Sequence, residues 1–374
     1  MTESRIVPIL MPKWGLSMKE GRVTDWLVDD GAAIDVGDEI LEVETDKIAS
    51  AVEATDAGVL RRRVGEVGKV YPVKALIGVL ADAETSDAEI DAFVDAFEAP
   101  VDADEDQGEE EARYRFVELS FGRVRYATCG SGPETVVLVH GFGGDLDNWL
   151  FNIDALGEAA TVYALDLPGH GQSVKTIADP TVPGLADALI AFMDALEIGS
   201  AHMVGHSLGG AVAIESASKA ADRVSSLALI ASAGLGSEIN GAYLAGFVGA
   251  ASRKQMKSAL VELFADSKLV SRQMVDDLLK YKRIDGVSEI LQTLSEQVFP
   301  GGAQQTVLVE QAGAAAVPLL VIWGREDRII PAAHAENLTD VAKVEIVDAA
   351  GHMVQMEAAG QVNTLLTAHI ASAS

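Results

Sequence analysis

Glu44-Thr45-Asp46-Lys47-Ile48-Ala49-Ser50 is the stretch on which the reading of this chain turns. Short apolar strands surround it. From Val23 to Glu42 they are broken by Asp29-Asp30-Gly31 and Val36-Gly37-Asp38. The same punctuation returns after the lysine, where Gly58 and Gly68 follow Gly21 and Gly31 at one offset of 37 residues. Two similar halves of short strands predict a flattened β-barrel with quasi-twofold symmetry. Lys47 lies between the halves, so it is expected in an exposed turn at one end, placed for modification. An ordinary solvated lysine is the plain alternative, and the repeat weighs against it.

This combination resembles a lipoyl domain over about residues 5–80, because Glu-Thr-Asp-Lys-Ile is the lipoyl-lysine signature. Biotin carriers are the nearest relatives of that family and place Met on each side of the lysine. Here Asp46 and Ile48 stand there. The resemblance implies covalent lipoate on Lys47.

Length and composition bound the remainder. A chain of 374 residues is comfortable for two domains, and 49% hydrophobic residues suffice for a large core. A formal charge of −29 argues against nucleic acid or an anionic membrane as partner. No amino-terminal apolar leader or membrane-length apolar run is visible, so a soluble, cytoplasmic protein is expected. The single cysteine, Cys129, excludes an internal disulfide framework and a multi-cysteine zinc site, and no metal is expected. Its Cys-Gly-Ser-Gly setting carries no catalytic pattern, so it reads as structural.

The expected organisation is a lipoyl domain over 1–81, an acidic flexible linker over 82–112 and a second domain over 113–374. The linker carries like-charge blocks at 104–106 and 109–111, which repel one another. Within it Ile90, Phe93, Val94 and Phe97 form the stripe of a short amphipathic helix. Such a stripe either packs on its own domain or docks a partner enzyme.

From about Tyr114 strands and helices alternate. Thr135–Val139, Val162–Leu165, Ala201–Val204, Leu227–Ile230 and Leu319–Trp323 are apolar runs separated by helical segments. They predict a parallel sheet covered on both faces. Residues from about 235 to 299 break the alternation with mainly helical pattern, as suits a cap. Gly205-His206-Ser207-Leu208-Gly209 falls between a strand and a helix, the setting a nucleophile elbow requires. A serine needs a base to take its proton. His352, after the strand Val344–Val347, is the best candidate, and Asp327 the best residue to hold its imidazole. Glu326 competes with Asp327 because the local register is uncertain. His202, His206 and His369 read as structural, and His140 as a loop-shaping residue. The backbone N–H groups of Phe142 and Leu208 are the expected oxyanion donors.

The order Ser, Asp, His is that of α/β-hydrolases, which residues 114–374 resemble. The whole chain resembles the acyltransferase components of bacterial acetoin dehydrogenase complexes, where lipoyl and α/β-hydrolase domains are fused. That resemblance implies acetyl transfer from dihydrolipoyl-lysine to coenzyme A. It also implies two partners, a thiamine-diphosphate acetoin dehydrogenase and a dihydrolipoyl dehydrogenase. The Asp-His-x-x-x-Asp-Gly run of ordinary 2-oxo acid dehydrogenase acyltransferases is absent, so the triad must carry any transfer. Hydrolysis of an ester or thioester, and a catalytically idle carrier, remain as other readings. A tether of about 30 residues reaches roughly 30 Å and serves a neighbouring subunit as readily as its own; a homo-oligomer is expected.

Overall fold

Alternating burial builds the amino-terminal strands. In Glu20–Trp26, Gly21 and Val23 point inward while Glu20 and Arg22 face solvent, the period-two pattern of a half-buried sheet. The computed structural model describes residues 6–12, 18–45, 49–82, 85–97 and 113–373. It divides into two units, residues 1–110 with 268–274 and residues 111–267 with 275–374, and each is treated in turn.

The first unit holds β1 (Ile6–Leu10), β2 (Glu20–Trp26), β3 (Ala33–Ile34), β4 (Glu39–Glu44), β5 (Ala49–Glu53), β6 (Gly58–Arg63), β7 (Val70–Pro72) and β8 (Leu76–Ala81). They form two four-stranded sheets, ordered β1-β8-β6-β3 and β5-β4-β2-β7. Exchanging each strand with the one four places away turns the first order into the second. The 37-residue offset reappears in the backbone: β8 begins and ends 37 residues after β4. Gly31 and Gly68, its glycine pair, both sit at φ 88°. Between the sheets lie Val23, Ile40, Leu41, Val43, Leu60 and Ile77, all essentially buried. Glu44 pairs with Ala49 at the end of the β4–β5 hairpin. Lys47 lies between them, outside the described residues.

The helix expected from the Ile90 stripe forms as α1 (Asp87–Ala96), started by a capping box between Ser86 and Glu89. Ile90 is fully buried against Leu76 and Val79, with Phe93, Val94 and Phe97 packed around it. Arg61 and Arg62 hold the helix through Asp87 and Asp91. The stripe therefore packs on its own domain, and β8 is buried along its whole length. Ordered structure thus continues past residue 82, well into the stretch expected to be linker. The charge blocks at 104–106 and 109–111 lie outside the described residues.

The second unit is an eight-stranded sheet ordered β16-β15-β14-β13-β11-β12-β10-β9. Its strands are β9 (Tyr114–Leu119), β10 (Gly122–Cys129), β11 (Glu134–Val139), β12 (Ala160–Leu165), β13 (Ala201–His206), β14 (Val224–Ile230), β15 (Leu319–Gly324) and β16 (Lys343–Val347). The last six are parallel, as the apolar runs predicted. At one edge β10 runs antiparallel to both β12 and β9, a departure from the all-parallel expectation. A tight turn at Ser120 and Phe121 permits the β9–β10 pairing, whereas parallel neighbours need helical crossovers. β13 and β15 are buried at every residue, since helices cover them on both faces. Among these are α2 (Val182–Ala195) and α3 (Leu208–Lys219), packed on one another, and α8 (Ala359–Ala373). The region expected as a cap contains α4 (Gly241–Gly249), α5 (Arg253–Leu260), α6 (Arg272–Tyr281) and α7 (Val287–Val298). Among the described residues no helix is long and apolar enough to cross a membrane.

Ile90→Ala removes the one fully buried anchor of α1. Cavity formation should cost about 2–4 kcal/mol, lowering the first unit's transition in scanning calorimetry of the full chain while leaving the second unit's unchanged. An unaltered first transition would show that the helix contributes nothing to that fold.

Candidate active site

Ser207 sits at φ 52°, ψ −119°, between the end of β13 and the first residue of α3. Few side chains tolerate that backbone, and surrounding contacts must impose it. The flanking glycines show how. A Cβ on Gly205 would strike the carbonyl of Gly209, and one on Gly209 would strike the carbonyls of Val139 and His140. The chain therefore turns in a space no larger side chain could share. Ser207 N–H donates to the Ile230 carbonyl at 2.9 Å, fixing the turn on β14. Its hydroxyl makes no cap bond to the helix. As the first helical residue, Leu208 has an N–H without an intrahelical acceptor.

The loop after β11 closes on this turn. A Cβ on Gly141 would lie 2.9 Å from that of Ser207. His140 is fully buried and sets the loop's shape. The Leu167 N–H donates to its Nε2 at 2.9 Å, so Nδ1 carries the proton and donates to the Gly141 carbonyl at 2.8 Å. Burial pushes its pKa down to about 4, which keeps that tautomer neutral. Asp166, buried at the end of β12, accepts from Leu146 N–H and Gln172 N–H and so joins the loops after β11 and β12. The Phe142 ring packs edge-on against Phe247 of α4 and against Phe299. The cap thereby contacts the loop that carries the Phe142 N–H.

Asp327 lies in the loop after β15 and its side chain is wholly buried. Four donors fill its carboxylate. His352 Nδ1–H donates at 2.8 Å and Trp323 Nε1–H at 3.0 Å to Oδ2, while the N–H groups of Ile329 and Ile330 donate to Oδ1 at 2.7 and 3.0 Å. This leaves Nε2 of His352 as the free, basic nitrogen. Glu326 points elsewhere: it accepts from the Ala350 N–H at 3.1 Å and steadies the His352 loop. Geometry thus favours Asp327 over Glu326 as the imidazole's partner. His206 Nε2–H donates to the His352 carbonyl at 3.0 Å, and the two rings stand 4.8 Å apart. It links the elbow to the imidazole loop directly. Burial lowers its pKa well below the usual range.

Sequence reading missed two contributors. Trp323 read as an ordinary strand residue, yet its indole holds Asp327. Glu357 accepts from Gly351 N–H at 2.6 Å and Ala265 N–H at 2.7 Å, tying the His352 loop to the cap segment. Neither has a local sequence signal, because each acts across a tertiary contact. The histidines set aside as structural have structural settings: His202 bridges Ser226 and Glu134, and partial burial lowers the pKa of His369 to about 4. Cys129 donates to Asp154, and burial raises its pKa to about 11, which suppresses thiolate chemistry.

A serine on a strained turn and, across a histidine contact, a carboxylate-held imidazole make up the candidate site. Residues 134–359 match the α/β-hydrolase fold family, and residues 7–80 match the family described as biotin-requiring enzymes. Two relatives span nearly the whole chain, both named dihydrolipoyllysine-residue acetyltransferase component of acetoin cleaving system. The protein from Cupriavidus necator is 54% identical over 98% of this chain and 97% of its own length. That from Pseudomonas putida is 48% identical over 98% and 99%. The chain belongs to this family of acetyltransferase components. A solved meta-cleavage product hydrolase from Pseudomonas fluorescens IP01 superimposes with a TM-score of 0.64 at 25% identity, over 70% of this chain and 98% of that one. The second domain of this family member is thus built on a hydrolase scaffold.

Asp327→Asn keeps the shape but lets the imidazole take the wrong tautomer, so kcat on an activated acyl ester should fall ~10⁴-fold. Glu326→Gln preserves the acceptor and should stay within a few-fold of the parent. Equal losses in both variants would contradict this assignment.

Proposed function

We propose that this protein transfers an acetyl group from a dihydrolipoyl thioester to coenzyme A, through Ser207, His352 and Asp327. The observation that carries it is the union, in one chain, of a lipoyl-type domain with the Asp327–His352 pair beside a serine elbow. The β4–β5 hairpin suits the carrier role. It pairs from Glu39 to Glu44, and Glu44, Ala49 and Ser50 at its end are partly exposed. Lipoate joined by an amide to Lys47 supplies a thiol that bears acyl groups.

The chain's own residues then act as follows. His352 Nε2 takes the Ser207 proton as Oγ attacks the thioester carbonyl. The N–H groups of Phe142 and Leu208 receive the charge that develops on the carbonyl oxygen. The C–S bond breaks, the departing sulfur takes the proton from His352, and acetyl remains on Oγ. In the second half the coenzyme A thiol gives its proton to His352 and attacks the ester, and Oγ recovers that proton as it leaves. Asp327 holds the imidazole in place and stabilises its cationic form throughout. One thioester replaces another, so little free energy separates substrate from product. Water must therefore be kept from the acyl-serine. Phe142, Phe247 and Phe299 form an apolar cluster at the oxyanion loop that suits this task.

The partners follow from the same reading: a thiamine-diphosphate acetoin dehydrogenase that loads the arm and a flavin dihydrolipoyl dehydrogenase that reoxidises it. Membership of an acetoin-cleaving family requires partner subunits of some kind, and these two reactions open and close the cycle.

Incubating the purified chain with S-acetyldihydrolipoamide, with and without coenzyme A, separates transfer from hydrolysis. The expected result is acetyl-coenzyme A formed in step with thioester loss, little acetate without the coenzyme, and neither product with Ser207→Ala. Acetate release at the same rate with or without the coenzyme would make the protein a thioesterase instead.

A further inference from the structure

Charge is distributed unevenly along this chain. Residues 253–283 hold eight of its 28 Lys and Arg but only four of its 57 Asp and Glu. This basic island lies in an acidic protein of formal charge −29. At physiological ionic strength fields decay over about 8 Å, so a local cluster sets the potential its neighbourhood presents. A polyanion repelled elsewhere on the molecule would be drawn there.

The island is shaped as well as charged. A cavity of about 340 Å³ is lined by Arg253, Lys280 and Arg283, together with Ser252, Leu279 and Asp276. It meets a larger open groove of about 970 Å³ at Ser252. Lys254, Gln255 and Ser258 of α5 line that groove with Glu262 just beyond the helix, and Ala242, Ala245 and Gly246 of α4 form its other wall. Two of the cations are engaged by carboxylates, Arg253 by Asp276 and Lys280 by Asp277. Lys254 and Arg283 have no carboxylate partner among the described residues. Lys282 does not belong to the site: its ammonium is bound to the carbonyls of Phe247, Val248 and Ala250, closing the end of α4. At the amino terminus of α5 the Ser252 hydroxyl already accepts from the Gln255 N–H. Recognition therefore falls to the free cationic side chains.

Helix α4 connects this groove to the chemistry. Its Phe247 packs on Phe142 and fills the space beside Gly143, while its small residues face the groove. α4 thus touches the groove with its small residues and the oxyanion loop with Phe247. A ligand with phosphates at one end and a reactive thiol on a long arm suits that arrangement.

We propose that this cap groove binds the phosphates of coenzyme A through Lys254 and Arg283, with Arg253 and Lys280 on its rim. The proposal rests on the acyl transfer to coenzyme A advanced above, and its test separates the two. The full-length chain is compared with Lys254→Ala/Arg283→Ala, using coenzyme A and pantetheine, which lacks the phosphates, as alternative acceptors. Binding of adenosine 3′,5′-bisphosphate is measured independently by calorimetry. Loss of two charge-assisted contacts should raise KM for coenzyme A by roughly tenfold or more, leave kcat within about twofold, and leave pantetheine kinetics unchanged. Bisphosphate binding should weaken in parallel. An unchanged KM for coenzyme A, or an equal rise for pantetheine, overturns the groove. If the parent transfers acetyl to neither thiol yet binds the bisphosphate, and the variant does not, the groove stands and the transferase reading falls.

Discussion

The carboxylate of Asp327 is the point on which the geometry of the candidate site depends. It is buried without direct contact with solvent and accepts from four donors, so its position is fixed from the strand before it, the loop after it and the histidine across from it. A buried carboxylate with fewer donors would be costly. With four it becomes a rigid anchor, and His352 inherits that rigidity through one hydrogen bond. His206 carries it on to the elbow and Glu357 carries it to the cap. Residues 142, 207, 327 and 352 are scattered in sequence, and the parallel sheet gathers them because each follows the carboxyl end of a strand.

Much of this was legible beforehand, for physical reasons that differ by element. Gly205 and Gly209 are visible because only glycine fits where backbone meets backbone. The parallel strands are visible because burial on both faces demands unbroken apolar runs. The lipoyl-type barrel is visible because its twofold symmetry is written as an offset, and the sheet orders reproduce that symmetry strand for strand. Other features were not legible. The antiparallel edge strands β9 and β10 leave no continuous apolar run, because β9 alternates charged, exposed residues with apolar ones and β10 buries the charged Arg125 between Val124 and Tyr126. Trp323 and Glu357 act through tertiary contacts with no local pattern. The Ile90 stripe admitted two partners, and only the fold shows that β8 supplies the surface it covers. The choice between Asp327 and Glu326 likewise needed geometry, since adjacent residues in a loop point in different directions.

The two units divide the labour in a way their chemistry explains. The first has a small core between two short sheets, strengthened by α1 on an outer face. It needs no reactive centre beyond the end of one hairpin. The second needs burial, strain and a saturated network of polar groups, which a large parallel sheet with a cap can supply. The net acidity of the chain contrasts with the excess of Lys and Arg in residues 253–283.

The most direct test is a rapid-quench experiment on full-length protein carrying lipoate on Lys47, its arm loaded with isotopically labelled acetyl and coenzyme A withheld. Peptide mass spectrometry should find label on the peptide containing Ser207 within one turnover, and that label should move to coenzyme A when the thiol is added. Label that stays on the Lys47 peptide until coenzyme A arrives, and then reaches it at the same rate in Ser207→Ala, would contradict the account.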